Sequence, residues 1–191
     1  EAGLAAILQD PAIITQGQTL SGNAQYNNRD HADSNPIEDR QAAGNALLDA
    51  IGAEPNVAIM GRKVFNALRN HGQLLDGLGH TQNRVGQLSD QELARALDVD
   101  KIFVGDALYN SAKEGQADVI APVWGKDVIY AKVGKPALRQ KVLGYTMNKS
   151  GKAPRVVQRM SNFTPRGSEE ISVDDSYQQL ILNAECAYLI Q

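Results

Sequence analysis

The sequence predicts an α+β fold, and three observations carry that prediction. Helical and strand-like segments alternate tightly between Asn35 and Gly105, two helix starts carry capping signals, and everything after Val119 reads as extended segments separated by turns. At 191 residues the chain can bury a real core, in one domain or two intimate subdomains. An apolar fraction of 42% and a charged fraction of 21% are those of a globular protein rather than a disordered one.

Glu1 to Leu8 reads as the end of a helix already under way, since Leu4, Ala5, Ile7 and Leu8 precede Asp10-Pro11. The expectation is a fragment whose earlier residues are missing. Gln16 to Asn35 is rich in Gly, Asn, Asp, Gln and Ser, which favours an irregular connection. A structureless stretch of that length is usually an interaction segment. Asn35 then offers an N-cap, with Pro36 at the first helical position and Glu38 placed to reach back. Ile37, Gly44, Leu47, Leu48 and Ile51 fall on one helical stripe, and Gly52 is a natural stop. Pro55 resets the chain before the short apolar strand Val57 to Met60.

In the next helix Val64, Phe65 and Leu68 form the packing face, with Gly72 as terminator. Ser89 and Glu92 make a second capping box, and Leu88 can pack on Leu93 as a hydrophobic staple. That helix, Asp90 to Leu97, leads into the strand Lys101 to Gly105. The loop Asp106 to Asp118 should be exposed. Val119 to Trp124, Asp127 to Val133, Leu143 to Met147, Arg155 to Met160, Ile171 to Val173 and Gln178 to Ile190 read as strands, the last of them long. Gly125, Gly134-Lys135-Pro136, Ser150-Gly151-Lys152 and Pro165-Arg166-Gly167 supply the turns between them.

Charge and cysteine usage narrow the function. A net charge of −3 and a pI near 5.6 give no footprint for gripping DNA or an anionic membrane. No apolar run approaches the roughly 20 residues that span a bilayer, and no signal-peptide pattern is visible. Cys186 stands alone among apolar neighbours and reads as a small buried hydrophobe, so neither a disulfide nor a multi-thiolate metal site is expected.

Catalytic patterns are sparse. His31-x-Asp33 puts an imidazole and a carboxylate close enough to meet in a turn, but His71 and His80 lie in other elements. Met60-Gly61-Arg62-Lys63 opens a helix after a strand, the geometry that binds phosphate through free amides, yet no P-loop or dinucleotide glycine pattern accompanies it. Ser111 and Lys113 sit two apart in a polar loop, and no nucleophile elbow occurs. Glu169-Glu170 and Asp174-Asp175 could hold a hard cation, but a charged edge that resists sheet pairing fits them better. The expectation is no catalytic residue, no metal and no cofactor.

Several phrases, in order, resemble one family. Asn56 to His71 contains Gly61-Arg62, Val64, Ala67-Leu68-Arg69 and His71, which is similar to the helix-opening segment of a group of tailed-bacteriophage major capsid proteins. Thr81-Gln82, Leu93-Ala94-Arg95-Ala96-Leu97, Ile102 to Gln116, Trp124-Gly125-Lys126-Asp127, Gly144-Tyr145-Thr146 and Ala187-Tyr188-Leu189-Ile190 resemble the same proteins in the same order, as do Leu20-Ser21-Gly22 and Asn35-Pro36-Ile37. The resemblance implies the Hong-Kong-97-type capsid fold. On it, residues 1–35 and 141–191 would belong to the peripheral domain and residues 36–140 to the axial domain.

The same resemblance implies a major capsid subunit that assembles with copies of itself, in hexamers and pentamers, into the icosahedral head around packaged DNA. Portal, scaffold and protease would be further partners, DNA contact would be weak and non-specific, and no membrane would be involved. The chain would be made in the bacterial host cytoplasm and end in the virion. Gln16 to Asn35 and Asp106 to Asp118 are the candidate intersubunit contacts. Two alternatives stand beside this reading: an encapsulin-like compartment shell, and a phosphate-binding α/β hydrolase centred on Gly61 to Lys63 with His31 and Asp33.

Overall fold

The computed structural model describes residues 2–28, 30–77, 87–135, 140–148, 155–161, 169–175 and 177–191. They fall into two compact units, Glu1–Leu143 with Asn183–Gln191, and Gly144–Leu182. In chain order the first unit carries α1 (Ala2–Leu8), β1 (Gly17–Gln18), α2 (Pro36–Ile51), β2 (Val57–Gly61), α3 (Arg62–Arg69), α4 (Gly72–Gly77), α5 (Asp90–Ala96), β3 (Lys101–Gly105), β4 (Leu108–Asn110), β5 (Ile120–Pro122) and β6 (Val128–Ala131). The second unit supplies β7 (Gly144–Asn148), β8 (Arg155–Ser161), β9 (Glu169–Asp175) and β10 (Tyr177–Ile181), and the first unit closes with β11 (Ala187–Ile190).

Five strands of the first unit form one sheet in the order β1-β11-β6-β2-β3. β2 and β3 run parallel, from Val57 opposite Lys101 to Gly61 opposite Gly105, and the helices α3, α4 and α5 make the crossover that a parallel pair requires. β6 is antiparallel to both β2 and β11, and β1 pairs parallel to β11. The period of two is clean. Ala58 and Met60, Val128 and Tyr130, and Tyr188 and Ile190 join Ala43, Leu47, Phe65, Leu68, Leu74 and Leu93 in one core cluster. Their alternates Val57, Ile129 and Leu189 are buried outside that cluster, and β6 and β11 are buried at every position.

The helices follow local chemistry with one substitution of roles. Asn35 Oδ1 accepts the Glu38 amide at 3.3 Å, Pro36 starts α2, and Gly52 ends it at φ 72° with its N–H on Leu48 O. The buried row of α2 is Pro36, Arg40, Ala43, Gly44 and Leu47, whereas Leu48 is 49% exposed. Arg40 takes part of the stripe expected for apolar residues because its guanidinium caps α5: it donates to Leu97 O at 3.0 Å and Asp98 O at 2.7 Å, and pairs with the Asp98 carboxylate at 3.1 Å. Gly44 leaves space for it, since a Cβ there would stand 2.7 Å from Arg40 Nη1. Val64, Phe65 and Leu68 form the buried face of α3 as expected. Gly72 does not terminate that helix; α3 ends at Arg69 with Asn70 as its cap, and Gly72 opens α4. At α5 both halves of the Ser89–Glu92 capping box are present, with Leu88 and Leu93 buried beside it.

Gln16 to Asn35 is an irregular connection as expected, but not a loose one. It contributes β1, Leu20 N–H donates to Gln191 O at 2.7 Å, and Tyr26 and Ser34 are buried. Ser34 Oγ spends its hydrogen on Gln25 O, so it accepts from His71 Nε2 at 3.0 Å, which fixes the proton on that ring nitrogen. Tyr26 Oη and Gln18 Nε2 both donate to the Asp39 carboxylate, at 3.0 and 2.5 Å. Nor is Gln178 to Ile190 one long strand. Asn183 Oδ1 accepts the Glu185 amide and caps a 3₁₀ turn at Ala184–Cys186, because β10 pairs with β7 while β11 pairs with β6 in another sheet. Cys186 is fully buried, and that burial raises its thiol pKa.

In the second unit β7 pairs antiparallel with β10, and β8 with β9. Gly144 is required there, because a Cβ would collide with the Leu180 carbonyl. β1 and β11 are both strands of the five-stranded sheet in the first unit. His80, Thr81-Gln82, Pro136 and the turns at Ser150-Gly151-Lys152 and Pro165-Arg166-Gly167 lie outside the described residues, as do the side chains of Glu169, Glu170, Asp174 and Asp175.

The C-terminal end of the parallel pair is closed by Trp124. Its indole lies where a side chain on Gly105 would be, so a Cβ at Gly105 would collide with Cδ1 and Cγ. Across the ladder, a Cβ on Gly61 would stand 2.5 Å from Gly125 O and 3.0 Å from Trp124 O. Gly105→Ala is therefore expected to lose about 1–3 kcal/mol through forced displacement of a buried ring, read as a lower midpoint in thermal or denaturant unfolding. An unchanged midpoint would contradict the packing described.

Asp39 gives a second test. Burial raises its carboxyl pKa above the ordinary value, outweighing the Gln18 and Tyr26 hydrogen bonds that lower it. A raised folded pKa means the native state holds the proton more tightly, so this group's contribution is full at low pH and lost as pH rises through the folded pKa. Asp39→Asn should remove that downward slope from a stability-versus-pH curve. A curve parallel to wild type would rule it out.

Candidate subunit interface

The chain leaves the sheet at Asp106 and returns at Trp124, and the residues between them form a ribbon. Leu108 pairs with Pro122, Tyr109 with Ala121 and Asn110 with Ile120, while Val123 N–H donates to Ala107 O at 2.8 Å. What the sequence suggested as a loop, Asp106 to Asp118, is thus half of a hairpin. The correction has a plain cause: Asn110 supplies the bonds that make a turn of 111–119. Its Oδ1 accepts the amides of Ala112 and Val119, both at 3.0 Å, and its Nδ2 donates to Asp118 Oδ1 at 2.7 Å. Ser111 N–H and Oγ both donate to Val119 O, and Gly115 takes φ 82° at the tip.

The root is held by charge as well as by the indole. Arg62 grips the Asp106 carboxylate with two parallel hydrogen bonds, Nε to Oδ1 at 2.5 Å and Nη2 to Oδ2. The pairing raises the Arg62 pKa and holds the Asp106 carboxyl below the ordinary range, chiefly through these hydrogen bonds. Arg62 also stands over the Phe65 ring, 5.4 Å from its centroid.

The segment is exposed as expected, and besides its polar turn the ribbon exposes four large apolar side chains. Leu108 is 65% exposed, Tyr109 51%, Val119 56% and Ile120 61%. Each would gain about 1.5–3 kcal/mol on full burial if of aliphatic size. These large side chains are held exposed on a well-bonded ribbon. The signal was present in the sequence as two short apolar runs, Ala107 to Tyr109 and Val119 to Val123, flanking a polar turn.

Among the described residues the other candidates are not brought together in one place. His31 Nδ1 accepts the Asp33 amide at 3.2 Å and lies 3.5 Å from its carboxylate, but both side chains are exposed. Among the described residues no group of three or more His, Cys, Asp or Glu could hold a metal. In the turn Gly61-Arg62-Lys63 the Arg62 guanidinium is engaged by the Asp106 carboxylate of the same chain. Ser111 is committed to Val119 O rather than to Lys113. A concavity of about 830 Å³ lies by α5 and the start of β3, lined by Glu54, Asp90, Arg95, Asp98, Lys101 and Lys132 among others, and includes none of those candidates. Among the described residues no helix is long and apolar enough to cross a membrane.

Comparison with known proteins converges with this geometry. The chain is 26% identical over 196 residues to the major capsid protein of Pseudomonas phage JBD67, covering 100% of this chain and 60% of that one. It is 26% identical over 167 residues to the major capsid protein of Burkholderia phage BcepMu, covering 83% of this chain and 50% of that one. The crystal structure of a phage-related protein from Bordetella bronchiseptica RB50 superposes with a TM-score of 0.80 at 26% identity, over 100% of this chain and 61% of that one. The chain thus spans 50% to 60% of the length of these curated relatives. The family model described as phage major capsid protein E matches residues 14–130, which take in β1, the junction at Trp124, the ribbon and most of β6. By that match, over more than half of its residues, the chain belongs to the phage major capsid protein E family.

Proposed function

We propose that this chain is the shell-forming part of a tailed-phage or prophage major head subunit with a Hong-Kong-97-type fold, working by self-association. The family match across the junction and the ribbon is the observation that carries the reading. The sheet-bearing unit is proposed as the axial domain and Gly144–Leu182 as part of the peripheral domain. Of the two segments expected to meet a neighbour, the ribbon is favoured over Gln16 to Asn35, which is bonded into its own core through Tyr26 and Ser34. Neighbours would be copies arranged in hexamers and pentamers, with portal, scaffold and protease as further partners. The product would reside in the virion after synthesis in the host cytoplasm. A net charge of −3 supports only weak contact with packaged DNA, because a tight grip draws on many phosphate neutralisations.

The test is electron microscopy of the full-length phage protein. Uniform closed shells or ring capsomers are expected, and a persistent monomer would overturn the reading.

The Arg62–Asp106 clamp sets the pH behaviour of the ribbon root. The folded pKa of Asp106 is depressed, so the clamp acts fully above the ordinary Asp range and is lost as pH falls through the folded value. Both side chains lie in solvent, so the effect is modest and salt-sensitive. Backbone amide protection in 107–123 should fall on acidification, and Arg62→Ala should show that lower protection already at neutral pH. Equal protection in both proteins at every pH would contradict the clamp.

A further inference from the structure

We infer that α3 is a brace that couples the ribbon root to the entry of α5, through two arginines that share the Phe65 ring. The segment from Leu88 to Asp106 runs through α5 and β3, and α3 grips it at both ends. At its far end the Asp106 carboxylate takes two hydrogen bonds from Arg62. At its near end Arg69 Nε donates to Leu88 O at 2.5 Å, and the Leu88 N–H donates back to Arg69 O at 3.2 Å. Leu88 is buried and directly precedes the Ser89 cap, so this reciprocal pair fixes where α5 starts.

Arg62, Phe65 and Arg69 have the spacing that lines one face of a helix. Both guanidiniums lie over the same ring, Arg62 at 5.4 Å and Arg69 at 5.3 Å from its centroid. The ring is fully buried in the core cluster, so packing fixes its position. Two cations held against one ring repel each other, and Asp106 compensates the charge of one of them. Loss of that carboxylate therefore loosens Arg69 as well as Arg62. A second link runs the same way. Besides Asp106, whose hydrogen bonds dominate, the charge of Asp90 at the start of α5 favours the Arg62 cation. The path from Asp106 through Arg62, Phe65 and Arg69 to Leu88 is closed by α5 and β3 themselves. A displacement at the ribbon root is thus carried to α5, and one at α5 is carried back with the same free energy.

The test is a double-mutant cycle in the full-length protein, Asp106→Asn with Arg69→Met, read by native-state hydrogen exchange. The first change keeps the side chain's size and removes its charge. The second keeps the stem and removes the guanidinium. Amides of β6, buried at every position, report global stability and serve as the reference. Relative to them, Asp106→Asn should speed exchange of the Leu88 amide by about two- to fivefold, the worth of one cation–ring contact. In the Arg69→Met background the same change should leave that amide's exchange where it was. An Asp106→Asn effect confined to the ribbon, or one of equal size in both backgrounds, would overturn the inference.

A third variant separates the ring from the covalent path along β3. In Phe65→Leu, Asp106→Asn should no longer reach the Leu88 amide. An undiminished effect there would place the coupling in the strand instead of the ring and contradict the brace. The cycle at Arg69 stands by itself where Phe65→Leu lowers stability too far. Because the brace lies within one chain, none of these outcomes bears on the subunit reading.

Discussion

Trp124 can close the end of the β2/β3 pair only because Gly105 has no side chain. Gly61, its partner across the ladder, abuts the carbonyls of Trp124 and Gly125 at distances that exclude a Cβ. Two glycines in register weaken a strand pair by their backbone entropy, and the buried indole offsets that loss. The chain that leaves at Asp106 and the chain that returns at Trp124 are consequently fixed side by side. Between them the chain pairs on itself as the hairpin β4/β5.

That arrangement also decides what Arg62 does. At a strand-to-helix turn a cation beside free amides could hold a phosphate, but here the Arg62 guanidinium is engaged by Asp106 at the ribbon root. Polar groups elsewhere in the first unit are likewise spent on holding elements together. Arg40 caps α5, Asp39 collects Gln18 and Tyr26, and Ser34 links Gln25 to His71. Among the described residues, large apolar side chains stay exposed on the ribbon at Leu108, Tyr109, Val119 and Ile120, and elsewhere at Leu48, Phe103, Tyr177 and Leu182.

Where the controlling interaction is local, the sequence was readable. The Ser89–Glu92 box, the Asn35 cap, the Gly52 stop and the face of α3 each depend on residues within one turn. Strand periodicity was equally plain, and the ordered phrases around Gly61, Gly105 and Trp124 prove to meet at one junction. Long-range partners were not readable. Arg40 enters the core row of α2 because of carbonyls 57 and 58 residues away. The break at Asn183 exists because β10 and β11 have different pairing partners, and a run of apolar residues does not encode which. The hairpin was masked by its polar turn, whose order comes from Asn110 bonding across eight and nine residues.

In the proposed shell the exposed ribbon at residues 107–123 meets neighbouring copies. Hydrogen–deuterium exchange of residues 107–123, compared between the free full-length subunit and its assembled form, tests it most directly. A marked slowing confined to this segment and its contacts is expected on assembly. Exchange there that is unchanged, while other surfaces become protected, would contradict it.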